Sequence, residues 1–176
     1  MDGDSVDGTE TTGSFNTYDR LIEYLSTADV QYRLIDHAPE GRTELASALR
    51  GHDLSDAAKC LIVKVKFGKR HARYVLAVIP GDARLDFTAL KKLLSGTGVA
   101  FASTAMAEEL AGTVSGSILP FSFHSELELI VDSRVLTAKE LYFNAARLDR
   151  SIALSTDDYL RLTSPRIAQI AVLVSI

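Results

Sequence analysis

The sequence predicts a mixed α+β (α/β) domain, with a largely antiparallel or mixed sheet and peripheral helices. Three observations predict it. Apolar residues recur at helical spacing in Tyr18, Leu21, Ile22 and Leu25. Two β-rich runs, Cys60 to Phe67 and Arg73 to Ile79, flank a polar Gly68-Lys69-Arg70-His71. Helical and extended segments are interspersed throughout, and many connections are too short for the crossovers that join parallel strands. With 176 residues and 47% apolar side chains, the chain can bury a core of its own and is too apolar to be disordered as a whole.

Taken in order, Thr17 is placed to cap the first helix. Tyr32, Leu34 and Ile35 read as a short strand that ends at Asp36-His37-Ala38-Pro39. Thr43 to Arg50 reads as a short helix with Leu45, Ala48 and Leu49 inward and Gly51 as its stop. The two β-rich runs form a hairpin, and Pro80-Gly81-Asp82 is a turn. Asp86 caps a helix through Leu94, stopped near Gly96. Val99 to Ala102 reads as a strand and Thr104 to Leu110 as a helix ended by Gly112. Leu127 to Val131, Leu141 to Asn144 and Ser151 to Leu154 are further strands. Ser155 or Thr156 caps a helix through Leu162, and Pro165 stands at the first position of an expected terminal helix. The apolar end, Ile167 to Ile176, reads as a docked helix or an interface.

Composition narrows the function classes. Residues 1–16 are acidic, rich in Gly, Ser and Thr, and nearly free of apolar side chains, so they read as a disordered tail rather than a secretory signal; residues 17–176 form the expected single domain. The longest apolar runs are far too short to span a membrane. A net charge of −4 excludes a generally basic nucleic-acid-binding surface, and no DNA partner is expected. Lys64, Lys66, Lys69 and Arg70 still make a local basic patch; its simplest reading is a solvated strand edge and loop. A single cysteine, Cys60, permits no internal disulfide, which fits a reducing cytoplasm. No Cys/His cluster has metal-ligand spacing, so neither a metal nor another cofactor is expected.

Two features carry chemistry. Gly116-Ser117-Ile118-Leu119-Pro120 runs into Phe121-Ser122-Phe123-His124; Gly admits backbone geometry closed to other residues, and Pro fixes its own φ. Such a loop can aim backbone N–H groups at a ligand. Lys59 would share a strand face with Leu61, Val63 and Val65, and so stands at the mouth of an apolar face. On spacing alone it reads as a lysine whose stem covers the core while its charge stays in water. Ser115 and Ser117 do not form a Gly-x-Ser-x-Gly elbow. Of the histidines, only His124 lies near the loop, and His37 precedes a turn from which it can approach a pocket.

Taken together, Ala57-Ala58-Lys59-Cys60-Leu61-Ile62-Val63-Lys64-Val65 and Gly116-Ser117-Ile118-Leu119-Pro120-Phe121 resemble the lysine strand and the Gly-x-x-x-Pro loop of the YbaK/prolyl-tRNA synthetase editing-domain family. Pro120 to His124, Phe143-Asn144-Ala145 and Asp157 to Arg161 resemble its free-standing YeaK-like branch. The resemblance covers roughly Tyr18 to Leu162. It implies a curved, largely antiparallel sheet and hydrolysis of mischarged aminoacyl-tRNA at the terminal adenosine, releasing a small amino acid such as Ser, Thr or Ala. It assigns Lys59 to holding the substrate and Gly116 to positioning the ester, with Ser117, Ile118, Leu119, Pro120, Phe121, His124, Asn144 and His37 as substrate contacts. It implies an aminoacyl-tRNA synthetase as a further partner, and tRNA binding through Lys64, Lys66, Lys69 and Arg70. Where some members of that family carry His, this chain carries Asn144, which cannot act as a general base at neutral pH. The competing reading is an inactive module of the same fold that binds tRNA, a synthetase or a small ligand.

Overall fold

The computed structural model describes residues 16–174; the expected N-terminal tail, apart from Asn16, lies outside them. In chain order the elements are α1 (Thr17–Thr27), β1 (Tyr32–Asp36), α2 (Thr43–Arg50), β2 (Ala58–Phe67), β3 (His71–Pro80), β4 (Ala83–Leu85), α3 (Phe87–Leu94), β5 (Gly98–Phe101), α4 (Thr104–Ala111), β6 (Leu127–Asp132), β7 (Glu140–Asn144), β8 (Arg150–Ser155), α5 (Thr156–Thr163), β9 (Arg166–Ala168) and β10 (Ala171–Leu173). The expected mixed α/β class is borne out. A five-stranded sheet runs in the order β5-β2-β3-β6-β9, a three-stranded one β1-β8-β7, and β10 pairs β4.

The β2–β3 hairpin is the spine of the molecule. It is antiparallel in register from Ala58 opposite Pro80 to Phe67 opposite His71. β6 joins β3 in parallel, and the elements between them supply the long crossover that a parallel pair requires. Both faces of the spine are covered. Val63, Val65, Val75, Ala77 and Ile79 pack with Leu90 and Ile170, while Ile62, Leu76 and Val78 pack with Leu21, Leu25, Phe143 and Tyr159. Strands buried on two faces read as near-continuous apolar runs, which is why β3 is so apolar from Val75 to Pro80.

Local chemistry corrects three details. Asn16, not Thr17, caps α1: its Oδ1 accepts from the Tyr18 N–H at 3.1 Å, while the Thr17 hydroxyl donates to the Gly112 carbonyl. α2 ends at Gly51 in the left-handed region (φ 75°), as expected, but it turns the other way about. Leu45 and Leu49 are 43% and 50% exposed, and Ala46 and Ser47 are buried. The inner face of this helix looks onto a polar cavity rather than an apolar core, so its apolar periodicity points outward.

The third correction is the C-terminus. Among the described residues no helix follows Pro165; the chain forms β9, parallel to β6, and β10, antiparallel to β4. Buried Asp132 drives this. Its Oδ2 accepts from the backbone N–H groups of Ile170 and Ala171 at 2.8 and 2.9 Å. A carboxylate that binds two N–H groups in the interior stabilises the extended backbone that presents them.

Candidate active site

Residues from four elements surround a cavity of about 310 Å³. It lies where the start of β2 meets the end of β7, a junction stitched by a parallel bridge between Ala57 and Tyr142. β2 contributes Ala58, Lys59, Cys60 and Leu61; α2 and the residues before it contribute Gly41, Arg42, Thr43, Glu44, Ala46 and Arg50; the Gly/Pro loop contributes Gly116 and Ile118; β7 contributes Phe143 and Asn144. Lys59, Gly116, Ile118 and Asn144 are thus brought together from positions far apart in the chain. Ser117, Leu119, Pro120, Phe121, His124 and His37 are not among the residues that line the cavity.

Gly116 sits at φ +89°, a region that favours glycine. A β-carbon there would lie 2.7 Å from the Gly41 Cα, so the two glycines permit a backbone-to-backbone contact that closes one side of the cavity. Asn144 fastens this contact. It is only 6% exposed, and its Nδ2 donates to the carbonyls of both Glu40 and Gly116 at 2.9 Å. Because both partners are carbonyls, the amide orientation is set: Oδ1 faces the other way, accepting from Ser151 Oγ at 2.9 Å and from Arg50 Nη1 at 3.5 Å. Asn144 therefore acts as a clamp between two loops.

The remaining expected residues support this arrangement or lie apart from it. His37 is one layer behind the cavity. Its Nδ1 is 2.9 Å from the Ala38 carbonyl, which can only accept, so that nitrogen carries a proton; Nε2 meets Ser151 Oγ at 2.7 Å. Ser117 is fully buried and bonds Thr113 Oγ1 and the Val114 carbonyl. Leu119 and Phe121 belong to the core, and the Pro120 carbonyl accepts from the Tyr159 hydroxyl at 2.7 Å. His124 turns away into its own loop, where Nδ1 accepts from the Glu126 N–H. Lys64, Lys66, Lys69 and Arg70 border a shallow groove with Gly68, His71 and Ala72 at the far end of the hairpin, about 20 Å along β2 from Lys59 at a strand rise of ~3.3 Å per residue.

Sequence reasoning missed Arg50, Ser151 and Gly41. Arg50 directly precedes the helix stop, where a cation reads as a complement to the helix dipole. Ser151 reads as one more strand residue. Gly41 directly follows the Asp36-His37-Ala38-Pro39 turn and Glu40, and that setting was its only signal.

The electrostatics limit the chemistry. Burial pushes the Cys60 thiol well above its usual range, which removes it as a thiolate nucleophile. The Arg42 guanidinium, hydrogen-bonded to Glu40, holds that carboxyl below its ordinary range. Among the described residues Lys59 makes no ion pair, and no group of three or more His, Cys, Asp or Glu is placed to hold a metal. No described helix is long and apolar enough to cross a membrane. What the cavity offers is a free ammonium, a half-buried guanidinium, backbone groups at a glycine contact and apolar walls.

The chain is similar to known proteins over most of its length. The chain is 39% identical over 152 residues to the multifunctional Ser/Thr-tRNA deacylase ProXp-y of Escherichia coli K12, covering 86% of this chain and 90% of that protein. It is 30% identical over 100 residues to a proline–tRNA ligase of Bacillus licheniformis, covering 56% of this chain but only 17% of the ligase. Its fold matches the crystal structure of a hypothetical protein (TM-score 0.78, 25% identity, 87% of this chain and 99% of that one). It also matches that of a putative trans-editing enzyme for prolyl-tRNA synthetase (TM-score 0.73, 20% identity, 88% and 96%). The model of the aminoacyl-tRNA editing domain matches residues 37–162, a span that holds every residue lining the cavity. The resemblance carried by the lysine strand and the Gly-x-x-x-Pro loop is borne out, and the chain belongs to the aminoacyl-tRNA editing domain family.

Proposed function

We propose that this chain is a free-standing deacylase that hydrolyses the ester of tRNA wrongly charged with a small amino acid, Ser or Thr first among them. The observation that carries the reading is the convergence of Lys59 and Gly116 on one small cavity. The 39% identity to a Ser/Thr-tRNA deacylase across nearly its whole length supports the choice of substrate. The cavity volume is at the low end for small-molecule pockets, which suits a short aminoacyl group and the end of a ribose.

The chemistry follows from what lines the site. It holds no histidine and no activated thiol, so a bound water attacks the ester carbonyl carbon directly. The C–O bond to the ribose then breaks; the ribose oxygen leaves with one of the water's protons, the other passes to solvent, and the amino acid departs as its carboxylate. An ester brings its own leaving group, so orientation and stabilisation of the tetrahedral oxyanion supply most of the rate. In this reading Lys59 holds the RNA end, and the Gly116 backbone, fixed by Asn144 and Gly41, positions the ester. Ile118 bounds the aminoacyl side. His37 and Ser117 act through hydrogen bonds behind the cavity rather than by contact. The basic groove of Lys64, Lys66, Lys69 and Arg70 meets the RNA further from its end, and a synthetase is the natural supplier of the charged tRNA.

A panel of Ser-, Thr- and Ala-charged tRNAs incubated with the purified chain tests the reading. Turnover is expected on the Ser and Thr forms, and Lys59→Ala, with an unchanged circular dichroism spectrum, should lower kcat/KM by about 10²-fold or more. No turnover on any member would favour the non-catalytic module. A wild-type rate in Lys59→Ala would remove Lys59 from the mechanism. Groove binding predicts affinity that falls steeply with salt; a flat salt response would remove the groove.

A further inference from the structure

Three cations line the cavity, and they are not alike. Arg42 is exposed and neutralised by Glu40 at 3.0 Å. Lys59 is free to move on its flexible stem. Arg50 is different from both: it is half-buried and fixed, and every partner it has is neutral. Its Nε donates to His52 Nε2 at 3.0 Å, Nη1 to Ser151 Oγ at 3.2 Å and Asn144 Oδ1 at 3.5 Å, and Nη2 to Ser47 Oγ at 3.4 Å. His52 is neutral as well, since its Nδ1 proton goes to the Asp53 carbonyl at 2.8 Å while Nε2 accepts from Arg50. Among the described residues no carboxylate pairs with Arg50, and Glu44, on the same cavity, makes no ion pair with it.

A guanidinium drawn out of water without a counter-charge is destabilised, and burial pulls Arg50 down to about 10, which still leaves it charged at neutral pH. A fixed positive charge that faces an open cavity creates a site for an anion. The substrate class then decides which one. An aminoacyl ester has no free carboxylate, and its α-ammonium would be repelled; the anion it brings is the phosphate of the terminal nucleotide. We propose that Arg50 holds the phosphate of the terminal adenosine of the charged tRNA, beside Lys59. His52, Ser47, Asn144 and Ser151 take four of its five N–H groups and set its plane, which leaves one Nη2 N–H and the full charge for a phosphate oxygen. The same contacts couple phosphate binding to Asn144, and through Asn144 to the Gly116 carbonyl.

This inference rests on the deacylase reading for its ligand, but its test needs no turnover. Two non-hydrolysable analogues are compared by calorimetry with the purified full chain: seryl-adenosine with an amide in place of the ester, bearing either a 5′-phosphate or a 5′-hydroxyl. Wild type should bind the phosphate form about 10- to 100-fold tighter, the range of a charge-assisted hydrogen bond or two. In Arg50→Gln this ratio should collapse toward one while affinity for the hydroxyl form is kept. Arg50→Lys, which keeps the charge but not the contacts that fix its position, should give an intermediate ratio, and it serves if the Gln variant does not fold. A merely structural Arg50 would weaken both analogues equally and leave the ratio unchanged. That result, or a wild-type chain with no preference for the phosphate form, overturns the proposal. A wild type that shows the preference yet hydrolyses no charged tRNA would sink the deacylase reading and leave Arg50 in place.

Discussion

The two ends of the loop from Gly116 to Phe121 are held by opposite means. At Gly116 the restraint is polar and geometric: a positive φ, a glycine facing a glycine, and one Asn144 amide bonded to two carbonyls. At Phe121 it is apolar. The ring packs edge-on against Tyr24, Phe143 and Tyr159 at centroid distances of 5.9, 5.8 and 5.4 Å. Dispersion and burial anchor the second end strongly but say little about backbone direction. Hydrogen bonds add less net stability and much more orientation. One end therefore supplies stability and the other geometry, and substitutions should separate the two.

The largest effect is expected at the apolar end. Phe121→Ala should cost about 3–5 kcal/mol, as large core truncations do, measured by urea unfolding. The folded fraction should keep most of its kcat, because the Gly41–Gly116 contact and the Asn144 clamp stay in place and only the far side of the Phe143 wall loses a neighbour. Next comes Gly116→Ala, where the new methyl meets the Gly41 backbone in a strained region of φ. Its stability should fall by only about 1–3 kcal/mol, while kcat/KM drops about 10²-fold from a displaced ester. Asn144→Ala should follow, with about 1–3 kcal/mol lost through two carbonyls left unpaired, and a kcat loss larger than its KM change. If Phe121→Ala lowers kcat as much as Gly116→Ala does, the division of labour between the two ends is wrong.

The same division explains what could be read from the sequence. The helices, the hairpin and the core strands were legible because apolar periodicity reports burial, and the cavity's Lys59 and Gly116 because local motifs mark them. Where the periodicity rule fails, it fails for a physical reason. Leu45 and Leu49 point outward because α2 walls a polar cavity with Ala46 and Arg50, and buries Ser47 beside them. The C-terminal strands were missed because one distant side chain, Asp132, sets their backbone. Arg50, Ser151 and His37 form a hydrogen-bonded cluster whose members are up to 114 positions apart, and no local pattern joins them. His124 stands near the loop in sequence and in a segment that carries the resemblance, but its ring closes a turn away from the cavity.

The smallest expected effect is the sharpest test of the comparison. Tyr159 is fully buried in α5 and belongs to the apolar end, but its hydroxyl donates to the Pro120 carbonyl at 2.7 Å, one polar bond within the aromatic anchor. Tyr159→Phe keeps the ring and removes that bond, so at neutral pH it should cost about 0.5–1.5 kcal/mol and leave kcat unchanged. The pH dependence gives a second handle. Burial raises the folded phenol well above its ordinary value, so the unfolded chain releases this proton first. The stability that comes from keeping the phenol neutral is fully present below the unfolded pKa, near 10, and is lost as pH rises toward the folded one. Wild type should therefore lose stability above about pH 10 more steeply than Tyr159→Phe, and the gap between them should close there. A kcat in Tyr159→Phe as low as that of Asn144→Ala would mean that the Pro120 bond aims the loop as well as anchoring it, and the geometry of the ester site would then begin at α5.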